Sequence, residues 1–201
     1  MKATLHRRRS AGVTLIELVV TIAVLAILAT LAAPSFSGLM RRHRVSAAAT
    51  ALRADLVYAR EEAVNRRAFV SVCASDTGST CSGEAGYENG WLVYAYPAGT
   101  IGPNQRYSPT SAAHVLLRSA SNHYGVAIQA TDGDVVTFGL QGQLRASAGR
   151  TSMSWVVCSL ANAHDVGTAE STANVHGAAL RLSGPGSLLA EQVGDGGSCA
   201  P

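Results

Sequence analysis

Glu17 is the one charged residue between Ser10 and Met40, inside a run whose centre, Leu18 to Ala33, reads LVVTIAVLAILATLAA. A carboxylate in a membrane helix costs roughly 2.5–3.5 kcal/mol on insertion scales, so such a residue is functional by default. Its natural partner is a cation in the same apolar layer. A new chain end made four residues earlier, at Val13, would supply an amine. Weak screening in that layer strengthens the ion pair.

The other candidate groups point away from catalysis. Cys73, Cys81, Cys158 and Cys199 show no CxxC or His-Cys spacing, so they read as disulfides of an oxidising compartment rather than metal ligands. Three pairings are open. The expected one joins Cys73 to Cys81 across a short loop and Cys158 to Cys199, pinning the tail to a strand. His6, His43, His114, His123, His164 and His176 are scattered, with no GxSxG or HExxH among them. They read as solvated or structural, with His114 in a strand. Asp132 and Asp134 are too few carboxylates for calcium; Asp132-Gly133 reads as a hairpin turn. No catalytic residue, metal or cofactor is expected.

The elements that carry these groups follow from length, charge and period. The chain has 201 residues and a mass of 20.7 kDa, enough for one domain plus an appendage. Charged residues are 14% and hydrophobic ones 47%, which excludes a disordered chain. Charge is uneven: +4 in residues 1–12, −1 to Met40, +4 in 41–67 and −4 in 68–201. Leu18–Ala33 rises roughly 24 Å as a helix, and Val13–Ile16 extends it to membrane thickness. The basic leader favours a cytoplasmic N-terminus, with Arg41, Arg42 and Arg44 opposing. A cleaved secretory signal fits poorly, because Pro34 follows the small residues that would precede the cut and Glu17 is left without a role.

From Gly38 to about Arg67 the helix continues. Val45, Ala48, Ala49, Leu52, Leu56, Ala59 and Ala63 trace one face, with Arg53, Arg60 and Glu61 pointing elsewhere. The two helical stretches are expected to form one rod bent near Pro34. Strands are expected at 69–73, 91–96, 113–118, 124–130, 135–138, 151–158, 175–182 and 187–193. Residues 97–112 and 159–174 read as long surface loops. The expected fold class is α+β: a long N-terminal membrane-spanning helix packed on an antiparallel β head.

Arg9-Ser10-Ala11-Gly12-Val13-Thr14-Leu15-Ile16-Glu17-Leu18 resembles the type IV prepilin signal. The resemblance implies cleavage by a prepilin peptidase after Gly12, methylation of the Val13 amine, assembly through Glu17 and a kink at Pro34. Val13 stands where the family usually has Phe. The head is similar to the GspH/FimT family of minor pilins and pseudopilins, FimU-like subunits among them. The similarity lies in Leu56–Val64, Val72-Cys73-Ala74-Ser75, Asn89-Gly90-Trp91, Gly125-Val126, Val136-Thr137-Phe138 with Gly142, and the late cysteines. The implied organisation is a leader (1–12), a transmembrane assembly segment (13–36), an amphipathic helix (37–67) and a periplasmic head (68–201).

That resemblance implies a tip or priming subunit of a type IV pilus in the inner membrane of a Gram-negative bacterium. Its partners would be the peptidase and other minor and major pilins. The alternatives are a GspH-type pseudopilin of a type II secretion system and a DNA-binding FimT-type pilin. The family feature linked to DNA uptake is a basic GRxR-like motif. The corresponding stretch, Arg181–Ser187, keeps only Arg181, with Pro185 where an arginine is expected. Phosphate contacts dominate DNA affinity, and an acidic head repels them. Arg145 and Arg150 form the remaining candidate patch, so nucleic acid is not an expected partner.

Overall fold

The computed structural model describes residues 13–201 except 100–101, 146, 148 and 162–168, together with the backbone but not the side chains of 31–35. Helix α1 runs Leu15–Arg66. The chain forms two compact units, one ending at Gly38 and the other Leu39–Pro201.

In the first unit α1 begins at the expected apolar run and continues through position 34. Its described side chains are exposed, including Leu15, Ile16, Leu18 and Leu25. Among the described residues no helix is long and apolar enough to cross a membrane. The apolar stretch Leu15–Thr30 rises about 24 Å against a hydrocarbon core of about 30 Å.

In the second unit the periodic face of α1 is fully used. Val45, Ala48, Ala49, Leu52, Leu56, Ala59 and Ala63 are all buried. Small residues dominate that face, which lets the sheets approach closely. The helix stops at Arg67, a non-glycine residue in the left-handed region (φ 49°), and Ala68 N–H donates to Ala63 O at 3.3 Å.

Among the described residues ten strands follow: β1 Phe69–Ala74, β2 Trp91–Tyr96, β3 Val115–Ala120, β4 Val126–Ala130, β5 Val136–Phe138, β6 Leu144–Arg145, β7 Met153–Leu160, β8 Ala169–Glu170, β9 Ala178–Leu182 and β10 Leu188–Gln192. They form two antiparallel sheets, ordered β3-β2-β1-β5-β6 and β10-β9-β7-β4, with β8 on β7. One core joins α1 to the inner faces of both sheets. It holds Leu52, Leu56, Val72, Trp91, Val93, Ile128, Trp155 and Leu180.

Four expectations need correction. Asp132-Gly133 is not a hairpin: β4 and β5 lie in different sheets, and this segment carries the chain between them. Gly133 is there for proximity, since a Cβ would meet Gly83 O at 2.1 Å. Residues 97–112 do not simply line the surface. β1 and β2 are buried on both faces, because Ala98 and Tyr107 cover Phe69, Cys73, Leu92, Tyr94 and Tyr96. Of the second expected loop, Ser159–Leu160 belongs to β7 and Ala169–Glu170 forms β8. His114 precedes β3 instead of lying in it; its Nδ1 accepts from Ser108 N–H at 3.0 Å.

Candidate functional site

Three of the expected site residues lie at or before the start of α1. Gly12 lies outside the described residues. Val13 and Glu17 are both exposed, and Glu17 sits in the first helical turn. Thr14 caps that turn: Glu17 N–H donates to its Oγ1 at 3.3 Å, and Leu18 N–H to its carbonyl at 3.1 Å. The cap settles orphan amides and fixes where the helix begins. It also makes Glu17 the acidic residue of the first helical turn. Thr14 is absent from the sequence-based candidates, although Thr-x-x-Glu ahead of an apolar run is the signature that identifies it. Pro34 lies within α1, and its side chain is outside the description.

The cysteines pair as Cys73–Cys81 and Cys158–Cys199, with Cα separations of 5.6 and 5.9 Å. Each staples an outer layer to a sheet. Cys81 Sγ accepts from Tyr107 N–H at 3.4 Å, and the neighbouring Tyr94 hydroxyl donates to Gln105 O at 2.5 Å. Burial pushes the Tyr94 hydroxyl pKa far up, so it stays a donor. Cys199 brings the tail over Val156, Cys158 and Ala179.

Charged groups in the head tie elements together. Asp55 on α1 accepts from Trp91 Nε1 at 2.9 Å and Arg118 Nη1 at 2.7 Å. The Arg118 guanidinium lies 3.6 Å from the Tyr58 ring centroid. The hydrogen bond to Asp55 raises the Arg118 pKa. His123 stacks on Trp91 at 5.0 Å, and burial lowers its pKa. Arg60, off the buried face of α1, donates to Gly142 O at 3.1 Å. Gly186 completes that junction: its φ is 86°, and a Cβ there would meet Gly142 O at 1.9 Å.

Two of the candidate basic residues, Arg150 and Arg181, are engaged by groups of the head itself. Arg150 donates to Asp132 Oδ1 at 2.6 Å and Val135 O at 2.9 Å, leaving it little to offer a phosphate. Arg181 pairs with Glu191 at 3.3 Å. Among the described residues no group of three or more His, Cys, Asp or Glu could hold a metal ion. His123 stacks on Trp91, and His114 Nδ1 accepts from the Ser108 main chain.

A capped apolar helix feeding an alanine-faced helical segment under two antiparallel sheets defines a type IV pilin-like subunit. The family model described as type II transport protein GspH matches residues 48–184, so the chain belongs to that family. The prokaryotic N-terminal methylation motif matches residues 7–33. Among solved structures, the chain is similar to two crystal forms of the type IV minor pilin FimU from Pseudomonas aeruginosa PAO1. One is 20% identical over 76% of this chain and 92% of that one, with a TM-score of 0.49. The other is 21% identical over 73% and 91%, with a TM-score of 0.46.

Proposed function

We propose that this protein is a minor, filament-priming subunit of a type IV pilus. The observation that carries the reading is one chain joining the methylation motif at residues 7–33 to a GspH-family head. The apolar N-terminal helix holds the precursor in the inner membrane of a Gram-negative cell, with the head in the periplasm. A prepilin peptidase cuts after Gly12 and the Val13 amine is methylated. Glu17 then accepts the N-terminal amine of a neighbouring subunit inside the apolar layer, which offsets the cost of a buried carboxylate and sets axial register. Ala23, Ala26 and Ala29 recur every three residues and allow neighbouring helices to approach. A bend near Pro34 lets the rod adjust between membrane and filament. The protein supplies no chemistry of its own; its work is positional.

A second reading follows from the description of the family itself: a pseudopilin of a type II secretion system, assembled by the same steps. A clean deletion strain separates the two. Loss of surface pili with normal exoprotein secretion supports pilus priming. Normal pili with exoproteins trapped in the periplasm supports the secretion machine and ends the first reading.

A further inference from the structure

In the second unit a groove of about 520 Å³ lies between α1 and strands β9 and β10. β10 is the edge of its sheet, paired only with β9. Its ladder fixes which amides are spare. Val193 N–H donates to Gly177 O at 2.8 Å, and Ser183 N–H to Ser187 O at 3.0 Å. Antiparallel pairs alternate, so Leu189 and Glu191 bond to β9 while Leu188, Ala190 and Gln192 aim their main-chain groups outward. Side chains alternate with the same period. Ala190 lies opposite Leu180, which is part of the helix-facing core, so Ala190 and Gln192 face α1 and line the groove.

The helical wall is cationic. Arg42 and Arg53 both line the groove and are exposed. Eleven residues apart, they stand about 16 Å apart on one helix face. The one acidic residue there, Glu191, is paired with Arg181. On the groove's far wall, the buried Nδ1 of His176 has no hydrogen-bond partner.

We infer that this groove binds an extended acidic segment of a partner pilin subunit, added antiparallel or parallel to β10, with its carboxylates on Arg42 and Arg53. The unpaired main-chain groups supply hydrogen bonds and the arginines supply selectivity, which is the general logic of strand addition. Carboxylates four residues apart on an extended chain are about 13 Å apart, within reach of two flexible arginines spaced as here. The inference rests on the assembly reading above for the identity of the partner.

The test uses the full chain in detergent micelles and two synthetic octapeptides, one alternating Val and Glu, the other Val and Lys. Binding of the Glu peptide at least tenfold tighter than the Lys peptide is expected. Ala190→Pro removes an outward amide without touching a bond to β9, and should weaken the Glu peptide at least tenfold. Arg42→Glu with Arg53→Glu, on an exposed helix face, should reverse the preference and guards against misfolding of the proline variant. Equal binding of both peptides, or Glu-peptide binding untouched by the charge reversal, overturns the inference. Failure here leaves the deletion phenotype unchanged, so it is distinguishable from failure of the assembly reading.

Discussion

At the scale of residues, Glu17 carries a charge that the rest of its segment is built to exclude. Thr14 starts the helix and Glu17 completes its first turn, so the cap and the proposed ion pair share one short stretch. Their roles separate by mutation. Glu17→Ala should leave processing intact and abolish incorporation, read as a mature-length band in membranes and none in sheared filaments; the mutant in filaments at normal level would remove the ion-pair role. Gly12→Val should do the opposite and leave full-length precursor. His123 makes a different kind of prediction. Burial lowers its folded pKa below the ordinary 6.5. Below that value the unfolded chain takes the proton first, so stability falls as pH drops from about 6.5 toward the folded pKa. His123→Phe keeps the stack on Trp91 without a titrating group. Its melting temperature should vary less across pH 7 to 5 than that of the parent; equal slopes would mean His123 has no part in the acid sensitivity.

At the scale of elements, the helix was the most legible part. Seven apolar positions at helical spacing were enough to name the buried face from Val45 to Ala63, because periodicity reports burial directly. Most strands were visible for the same reason. What the sequence hid was which layer each strand joins. Asp132-Gly133 carries turn chemistry whether the chain reverses within a sheet or crosses to another, and the crossing shows only in the sheet order, which puts β4 and β5 in different sheets. Tyr94, Tyr96 and Tyr107 pack a second core that no local pattern announces, because its two sides lie more than a loop apart. Thr14 is legible in its Thr-x-x-Glu spacing; Arg60 and Gly186 are not, since their junction through Gly142 exists only in three dimensions. The alanine face predicts its own sensitivity. Ala59 is fully buried, and Ala59→Leu should overpack the helix–sheet contact, costing about 1–3 kcal/mol. Thermal unfolding should show that as a drop of several degrees; an unchanged melting point would mean slack that the burial does not suggest.

At the scale of the whole molecule, the division at Gly38 sorts the interactions by purpose. Among the described residues, those of α1 that are buried lie beyond it, from Val45 onward, while the described apolar side chains before it are exposed. Both disulfides also lie in Leu39–Pro201. That unit therefore contains its own core and its own staples, and a fragment of residues 39–201 made in an oxidising compartment should fold as a soluble monomer. The staples matter unequally. Closing the longer loop, Cys158–Cys199 with a separation of 41, removes more unfolded-state entropy, about 4 kcal/mol against about 2.5 for Cys73–Cys81 with a separation of 8. Cys158 is fully buried in strand β7, whereas Cys81 sits in a loop. Cys158→Ala with Cys199→Ala should thus lower the fragment's stability more than Cys73→Ala with Cys81→Ala, and reductant should unfold it at lower denaturant. Denaturant melts of the two double variants decide the order. The reverse order would place the weight of the head on the loop that covers Tyr94, and would make the C-terminal tail a cover that the sheet beneath it does not need.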